Sequence, residues 1–333
     1  MEKIILIRIL SVLGVLGLLA AVVAGCGGSS GSGGGKSLSL VAYSTPQEAY
    51  EAVIPAFQKT EGGAGVTFKQ SYGASGDQAR SVLAGLPADV VALSLEPDVS
   101  KLVDAGKVPA NWAAGPQKGI VTDSVVVLAV RKGNPKNIRQ WSDVVKPGVK
   151  IVTPNPQTSG GAKWNLMAAY GSQIKQGMTP AQAEAFLKAL FKNVVSADKS
   201  ARDALQTFDA GKGDVLLSYE NEAITAQGKG LKLDYVVPDQ TILIENPIAV
   251  TTAGEKKPAA KAFVDYTRTP AAQKIYASKG YRPVLANLVD RNRFPTPPGL
   301  FTISDLGGWK DVNTKFFDEN DGIVTKIQES AGI

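Results

Sequence analysis

The sequence predicts an α/β fold of two lobes, and three observations support this. Strand-like and helix-like segments alternate along most of the chain, which is typical of α/β architectures. About 300 residues follow a glycine- and serine-rich segment near the N-terminus, enough for two domains of ordinary size. Two long apolar runs, residues 125–130 and 241–250, lie more than a hundred residues apart. We interpret these runs as two hinge crossings between the lobes.

Two crossings imply that one lobe is built from both ends of the chain and the other from its middle. We therefore assign residues 37–124 and 246–333 to lobe 1 and residues 125–245 to lobe 2. No internal repeat is evident in either part.

The N-terminal segment predicts export and a lipid anchor. Lys3 and Arg8 flank the start of an apolar run that reaches Val23, and small residues then precede Cys26. Val-Ala-Gly-Cys resembles a bacterial lipobox, so we expect residues 1–25 to be a signal peptide. Residues 26–36 would then be a flexible tether, lipid-anchored through Cys26, on the periplasmic or outer face of a membrane. An uncleaved transmembrane anchor is the alternative.

Composition excludes several kinds of site. The chain has no histidine, and Cys26 is its single cysteine. The usual zinc ligands, the Ser-His and Cys-His nucleophile pairs and an intramolecular disulfide are therefore unavailable, and we expect no metal and no cofactor. The formal net charge is +6, but basic residues are dispersed, so we expect no nucleic-acid partner. A mildly positive field would still attract a small anion.

In the first third of the chain, strands and helices follow each other closely. Alternating apolar residues predict a strand, and a run of helix formers after a proline or serine predicts a helix start. We predict strands at residues 37–43, 65–71 and 89–93 and helices at residues 47–60 and 75–86.

The segment from Pro154 to Gly161 is predicted to hold an anion. A β-rich run at residues 149–153 precedes it, and helix formers at residues 162–170 follow it. Such a strand-to-helix junction exposes unpaired N–H groups and the positive end of a helix dipole. The Ser159 hydroxyl could cap this helix or face a ligand oxygen.

Three other turns have the same character. They lie at residues 43–46, 73–77 and 198–204, each between a strand or connecting segment and a helix. Pro46 would occupy the first helical position, and Ser75 would cap the second helix. In doubly wound folds, ligands gather at the carboxyl ends of the strands, so several such turns could surround one cleft.

These segments resemble the periplasmic sulfate-binding proteins of ABC importers, over residues 38–317. The matching segments are Gln70-Ser71-Tyr72-Gly73-Ala74-Ser75, Lys132-Gly133-Asn134-Pro135-Lys136, Pro154-Asn155-Pro156-Gln157-Thr158-Ser159-Gly160-Gly161-Ala162, Gly213-Asp214-Val215-Leu216, Tyr281-Arg282-Pro283-Val284 and Leu300-Phe301-Thr302-Ile303-Ser304-Asp305-Leu306-Gly307-Gly308-Trp309. The resemblance implies the type II solute-binding fold, in which each lobe is a mostly parallel sheet flanked by helices.

The resemblance also implies a set of uncharged donors around a dianion. It assigns the Ser159 hydroxyl and the N–H groups of Gly160, Gly161, Ser75 and Ala204 to the ligand. At two further positions the chain departs from the family. Ser44 stands where the family has an aspartate whose main-chain N–H donates. Tyr219 stands near the place of a tryptophan indole donor, and could instead be a lobe-interface or core aromatic.

The predicted function is capture of sulfate and its delivery to membrane permease subunits, by a chain expected to be a monomer. Fully ionised sulfate only accepts hydrogen bonds, so a cage of donors suits it. Thiosulfate is the nearest alternative ligand, followed by molybdate or phosphate; Asp77 or Asp203 in the cleft would favour phosphate. We do not expect an enzyme, although a hydrolase using Glu220 is an alternative, as is a surface receptor without transport. Glu220 and Glu222 are interpreted as surface residues.

Overall fold

The computed structural model describes residues 36–332 and alternates strands with helices along that range. The predicted signal peptide, Cys26 and all of the predicted tether except Lys36 lie outside the described residues. The strands are β1 (Ser37–Tyr43), β2 (Thr67–Gly73), β3 (Val90–Ala92), β4 (Ile120–Arg131), β5 (Ile151–Pro154), β6 (Val194–Asp198), β7 (Val215–Tyr219), β8 (Leu233–Val236), β9 (Gln240–Val250) and β10 (Gly299–Phe301).

The α-helices lie between and after these strands. They are α1 (Gln47–Gln58), α2 (Ser75–Leu83), α3 (Glu96–Asp104), α4 (Trp141–Val144), α5 (Gly160–Lys175), α6 (Pro180–Lys192), α7 (Ala201–Asp209), α8 (Glu220–Gly228), α9 (Pro258–Thr267), α10 (Pro270–Ser278), α11 (Gly308–Phe316) and α12 (Ile323–Ala331). The predicted α/β fold is confirmed. Pro46 does not begin α1 as predicted but precedes its first residue.

The strands form one mixed sheet in the order β2-β1-β3-β9-β4-β7-β5-β6, with β10 beside β9 and β8 beside β4. Strand β1 pairs in parallel with β2 and β3, and β5 pairs in parallel with β6 and β7. The two long strands β4 and β9 pair antiparallel with each other. The carboxyl ends of the parallel strands therefore lie together at one edge within each half of the sheet.

Strands β4 and β9 take part in both halves of the sheet. The C-terminal part of β4 pairs with β7 and β8, and the C-terminal end of β9 pairs with β3. These strands contain the two apolar runs that we interpreted as crossings. The lobe boundaries themselves remain a prediction.

Apolar side chains cover both faces of the sheet. Along β1, Leu38, Leu40 and Ala42 pack into one cluster and Val41 packs into another. This division follows from the two-residue repeat of a strand, which sends successive side chains to opposite faces. Within residues 36–332, no helix combines the length and the apolar character needed to cross a membrane.

Candidate functional site

Six strand ends and three helix starts surround a small cavity. About 200 Å³ of empty space, part of it open to solvent, lies between its lining atoms. The lining residues are Tyr43, Ser44, Thr45, Gly73, Ala74, Ser75, Ser94, Ser159, Gly161, Ala201 and Tyr219. They lie at or soon after the carboxyl ends of β1, β2, β3, β5, β6 and β7, which is where doubly wound sheets place ligands. All four predicted turns contribute to this one cavity.

Three helices begin at the cavity wall. Helices α2, α5 and α7 start at Ser75, Gly160 and Ala201. The first N–H groups of a helix have no carbonyl one turn earlier to bind, and the helix dipole places partial positive charge there. Three such ends around one space favour an anion.

Ser159 presents its hydroxyl to the cavity. It precedes the first residue of α5, yet within the described part of the chain its side chain makes no capping hydrogen bond. Its own N–H donates to the carbonyl of Asn155 at 2.8 Å, and the residue is 4% exposed. The sequence left two roles open for this hydroxyl, helix capping or contact with a ligand oxygen. Because the hydroxyl makes no capping bond, contact with a ligand is the role that remains.

Ser75 is not the cap that we predicted, because it is the first residue of α2 and Ala74 precedes the helix. The Ser75 hydroxyl donates to Asp98 Oδ2 at 2.7 Å and accepts from the N–H of Ser94 at 2.9 Å. With the side chain engaged in this way, the backbone N–H is the group that Ser75 can offer at the helix start.

Gly160 and Ala204 do not line the cavity. Gly160 begins α5 and packs so closely that a Cβ there would lie 2.1 Å from Leu95 Cδ2. The N–H of Ala204 donates to the carbonyl of Ser200 at 3.0 Å inside α7, so it is already occupied. The predicted donor at Ala204 is therefore wrong, and Ala201, at the start of the same helix, lines the cavity instead.

Ser44 and Tyr219, the two departures from the family pattern, both reach the cavity. The Tyr219 hydroxyl shares a 2.8 Å hydrogen bond with the hydroxyl of Ser94. Burial raises the pKa of Tyr219 far above its ordinary value, so this hydroxyl keeps its proton. A tyrosine hydroxyl both donates and accepts, whereas an indole N–H only donates.

Sequence reasoning missed Tyr43, Thr45, Ser94 and Ala201. The Thr45 hydroxyl is buried and has no hydrogen-bond partner within residues 36–332, whereas the buried Tyr43 hydroxyl lies beside the hydroxyl of Tyr281. Buried polar groups are nearly always paired, so unpaired hydroxyls at a cavity indicate a bound partner. Only their position in the chain could have indicated these residues. Tyr43 and Thr45 are the neighbours of Ser44. Ser94 closely follows the carboxyl end of β3.

The cavity lining as described contains no charged side chain. Asp77 and Asp203 line a neighbouring groove that shares Ser44, Gly73 and Ala74 with the cavity. There Asp77 pairs with Lys199 at 3.2 Å, and Asp203 accepts from the Ser200 hydroxyl at 2.8 Å. Neither carboxylate enters the cavity. A ligand there would be held by hydroxyls and backbone dipoles.

Glu220 and Glu222 were wrongly interpreted as surface residues. Glu220 is fully buried and accepts from Arg282 Nε at 2.7 Å and Nη2 at 3.0 Å. Burial raises the pKa of Glu220, and the Arg282 guanidinium opposes that rise. Glu222 is 3% exposed and accepts from the Ser218 hydroxyl. Neither glutamate lines the cavity, so Glu220 is not placed to act on a ligand there.

Comparison with known proteins identifies the family. Residues 38–282 match the family described as bacterial extracellular solute-binding protein. The chain belongs to this family. Its solute-binding relatives include a sulfate-binding protein of Synechococcus elongatus, 45% identical over 88% of this chain and 87% of that protein. A thiosulfate-binding protein of Pseudomonas aeruginosa is 37% identical over 84% of this chain and 88% of its own length.

Solved structures agree with this family assignment. The sulfate-binding protein SubI from Mycobacterium tuberculosis H37Rv superposes with a TM-score of 0.83 at 46% identity, covering 85% of this chain and all of that one. A periplasmic thiamin-binding protein shares the fold, with a TM-score of 0.67 at 16% identity, covering 89% of this chain and 96% of that one. The chain is thus a solute-binding protein that acts outside the cytoplasm, as predicted.

Proposed function

We propose that this solute-binding protein captures sulfate in the cavity and delivers it to the permease subunits of an ABC importer. The observation that carries the proposal is the lining itself: hydroxyls and helix-start N–H groups surround the space, and the lining residues of the described chain are all uncharged. Relatives named for sulfate binding support the choice of ligand.

An uncharged cavity can hold a dianion when its dipoles are fixed. Removing an anion from water is costly, so each lost water contact needs a replacement. The N–H groups at the starts of α2, α5 and α7 are held by the helices and need no rearrangement when the ion enters. The Ser159 hydroxyl, which caps no helix in the described chain, and the Thr45 hydroxyl, which has no hydrogen-bond partner there, add two further donors.

Selectivity follows from the absence of a carboxylate in the described lining. A protonated oxyanion brings a hydrogen that needs an acceptor, and an unpaired buried polar group costs about 1–3 kcal/mol. Asp77 and Asp203 lie outside the cavity, so they do not offer that acceptor. Thiosulfate is the second candidate, because a thiosulfate-binding relative matches most of the chain and thiosulfate is also an unprotonated tetrahedral dianion.

Capture would proceed by closure of the two predicted lobes around the ion, with β4 and β9 as the hinge. In the structure, contacts join residues that we assign to different lobes. The N–H of Gly76 donates to the carbonyl of Thr158 at 3.0 Å, and the Ser94 and Tyr219 hydroxyls meet at 2.8 Å. Ligand contacts from both sides would favour this closed arrangement.

The functional test is a calorimetric titration of the full chain in detergent with sulfate, thiosulfate, phosphate and molybdate at neutral pH. We expect one-to-one binding of sulfate and weak binding of phosphate. Silence toward all four anions would contradict the proposal, and preference for thiosulfate would replace sulfate with the second candidate. Absence of turnover under the same conditions would separate binding from catalysis.

We also propose that Cys26 carries the lipid that holds the chain at the membrane and that the protein works as a monomer. The lipobox-like sequence before Cys26 and the glycine-rich segment after it support the anchor. In the producing bacterium, replacement of Cys26 by alanine should release the chain from the membrane fraction. Retention of that variant in the membrane would indicate an uncleaved anchor instead.

A further inference from the structure

Lys163 is a half-buried lysine in the first turn of α5, the helix that places Ser159 and Gly161 at the cavity. Helix α5 begins at Gly160, so Lys163 is its fourth residue, and its first turn contains no acidic residue. The N-terminal end of a helix already has partial positive charge, so a cation there is normally unfavourable. The fold alone therefore gives no reason for a lysine at this position.

The direct contacts of the Lys163 ammonium within the described chain are neutral. Lys163 Nζ donates to Asn313 Oδ1 at 3.1 Å and lies 4.9 Å from the centre of the Phe317 ring. Asp98, which has the largest effect on Lys163 among the surrounding charges, pairs with Lys101 at 3.9 Å. The positive charge of Lys163 is therefore not matched by a carboxylate bound to it among residues 36–332.

The surroundings of Lys163 make its charge sensitive to pH. Burial lowers the pKa of Lys163 to about 8. The Asp98 carboxylate of α3 raises the pKa, the charges of Lys101 on α3 and Arg80 on α2 lower it, and Glu319, after α11, adds a smaller rise. Most molecules therefore hold the proton near pH 7, and the charge is lost as the pH passes about 8.

The Lys163 side chain lies close behind the cavity wall. Long side chains in a helix point back over the preceding turn, which for Lys163 begins at residues 159 and 160. Asp98, which acts on Lys163, also accepts from the hydroxyl of Ser75 at 2.7 Å, and Ser75 lines the cavity. A charge at this place acts on a cavity anion through protein, where electrostatic interactions are stronger than in water.

We propose that Lys163 determines anion affinity from a distance: its positive charge attracts the dianion without touching it, and the dianion in turn holds the proton on Lys163. This inference rests on the proposed capture of a dianion in the cavity. Asp98 explains why the charge is needed, because its buried carboxylate beside Ser75 repels an anion and Lys163 opposes that repulsion. The uncharged donors still make every contact with the ligand.

Anion binding and the protonation of Lys163 are then linked in both directions. Entry of a dianion raises the pKa of Lys163, so part of the protein takes up a proton when sulfate binds near pH 8. Above that pH the unliganded protein has lost this proton, and sulfate affinity therefore falls. We expect a fall of about tenfold between about pH 7 and about pH 10, equivalent to a rise of about one pKa unit on binding.

The test is a calorimetric titration of the full chain in detergent with sulfate, from about pH 6 to about pH 10. Each titration is made in two buffers that lack sulfonate and phosphate groups and differ in their heat of ionisation. Proton uptake from the buffer makes the two binding enthalpies differ. We expect a difference near pH 8 and none near pH 6, where Lys163 is protonated with and without the ligand.

Two variants separate the charge of Lys163 from its packing. Lys163→Arg stays charged at every pH tested, so it should bind sulfate normally near pH 7 and show neither the alkaline fall nor the proton uptake. Lys163→Met keeps a long side chain without the charge and should bind about tenfold more weakly near pH 7, with little further change at higher pH. Lys175→Met, at the exposed other end of α5, is the matched control and should behave as the wild type.

Asp123 is the second group that has to be separated from Lys163, because burial raises its pKa to about 8 as well. Asp123→Asn should leave the proton uptake and the alkaline fall in sulfate affinity unchanged. A profile that flattens in Asp123→Asn and not in Lys163→Arg would overturn the proposal.

Three further results would overturn it while sulfate binding stays intact. They are equal binding enthalpies in the two buffers near pH 8, wild-type affinity of Lys163→Met near pH 7, and the same alkaline fall in Lys163→Arg as in the wild type. A merely structural role would give weaker binding by both variants at every pH, without a change in proton uptake. Failure of the wild type to bind sulfate near pH 7 would contradict the proposed function itself, and with it this inference.

Discussion

Arg202 of α7 donates to both carboxylate oxygens of Glu48 on α1, at 2.5 and 2.6 Å. Lys229, which directly follows α8, donates to the same carboxylate. Arg202 also donates to the Ser44 carbonyl at 3.4 Å, and it directly follows Ala201. The ion pair thus joins the two turns that present Ser44 and Ala201 to the cavity, from opposite predicted lobes. Burial alone would raise the pKa of Glu48, but hydrogen bonds from Arg202 and Lys229 outweigh it and lower the pKa to about 2.

Glu48→Gln should weaken sulfate binding by about tenfold, mostly through faster release, because it removes the charge that holds the two turns together. Stopped-flow release of sulfate measures this, with Glu51→Gln as the control on the same helix. Equal release rates in the wild type and Glu48→Gln would show that the ion pair does not stabilise the closed state.

Gly160→Ala should block closure. A Cβ at Gly160 would lie 2.1 Å from Leu95 Cδ2 and 2.9 Å from Ser94 Oγ, and both residues belong to the other predicted lobe. We expect sulfate affinity to fall by about a hundredfold or more while the thermal midpoint of the unliganded protein changes little. Gly228→Ala is the control, because a Cβ there meets nothing within 4 Å. Unimpaired calorimetric binding by Gly160→Ala would contradict the close approach.

Ser159→Ala should separate binding from helix stability. The hydroxyl makes no capping bond among the described residues, so its loss should cost affinity, by about 1–3 kcal/mol, without destabilising α5. Ser200 is the contrasting residue, because its hydroxyl caps α7 by accepting from the N–H of Asp203 at 3.1 Å. Ser200→Ala should therefore lower the free energy of unfolding by about 1 kcal/mol. Urea unfolding and sulfate titration of both variants check this, and the reverse pattern would refute the assignment.

Asp123 should make the protein less stable at alkaline pH. Asp123 of β4 lies opposite Glu245 of β9, and burial, followed by the charge of Glu245, raises the pKa of Asp123 to about 8. The folded protein then holds a proton that the unfolded chain has lost above about pH 4. Stability therefore falls as pH rises from about 4 to 8, by at most about 1.4 kcal/mol per pH unit from this group.

Asp123→Asn should flatten that part of the stability profile and leave the variant more stable than the wild type at pH 9. Urea unfolding across the pH range measures the difference. Parallel profiles of the two proteins would show that Asp123 titrates normally.

The elements near the cavity were largely predictable because their signals are local. Strand β1 matches the predicted residues 37–43, and the turns before α2 and α5 were found from a strand end, small residues and helix formers. The prediction of Ala204 as a donor was wrong because it misplaced the start of α7. Only the first N–H groups of a helix are free, and α7 begins at Ala201, one turn earlier.

Contacts between distant segments were not predictable from the sequence. Ser94 becomes a cavity residue because β3 lies beside β1 and β9, an order that the chain does not reveal. Glu220 looked like a surface residue because its partner, Arg282, lies 62 positions away. Burial of a charge depends on such a partner, and a single sequence does not show it.

A crystal structure of the protein with sulfate tests the central claim most directly. We expect one sulfate in the cavity, accepting hydrogen bonds from the Ser159 hydroxyl and the N–H groups of Gly161 and Ala201, with every lysine and arginine nitrogen beyond hydrogen-bond distance. A sulfate held by Lys199 or Arg202 in the outer groove, with the cavity free of the ion, would contradict capture by uncharged donors.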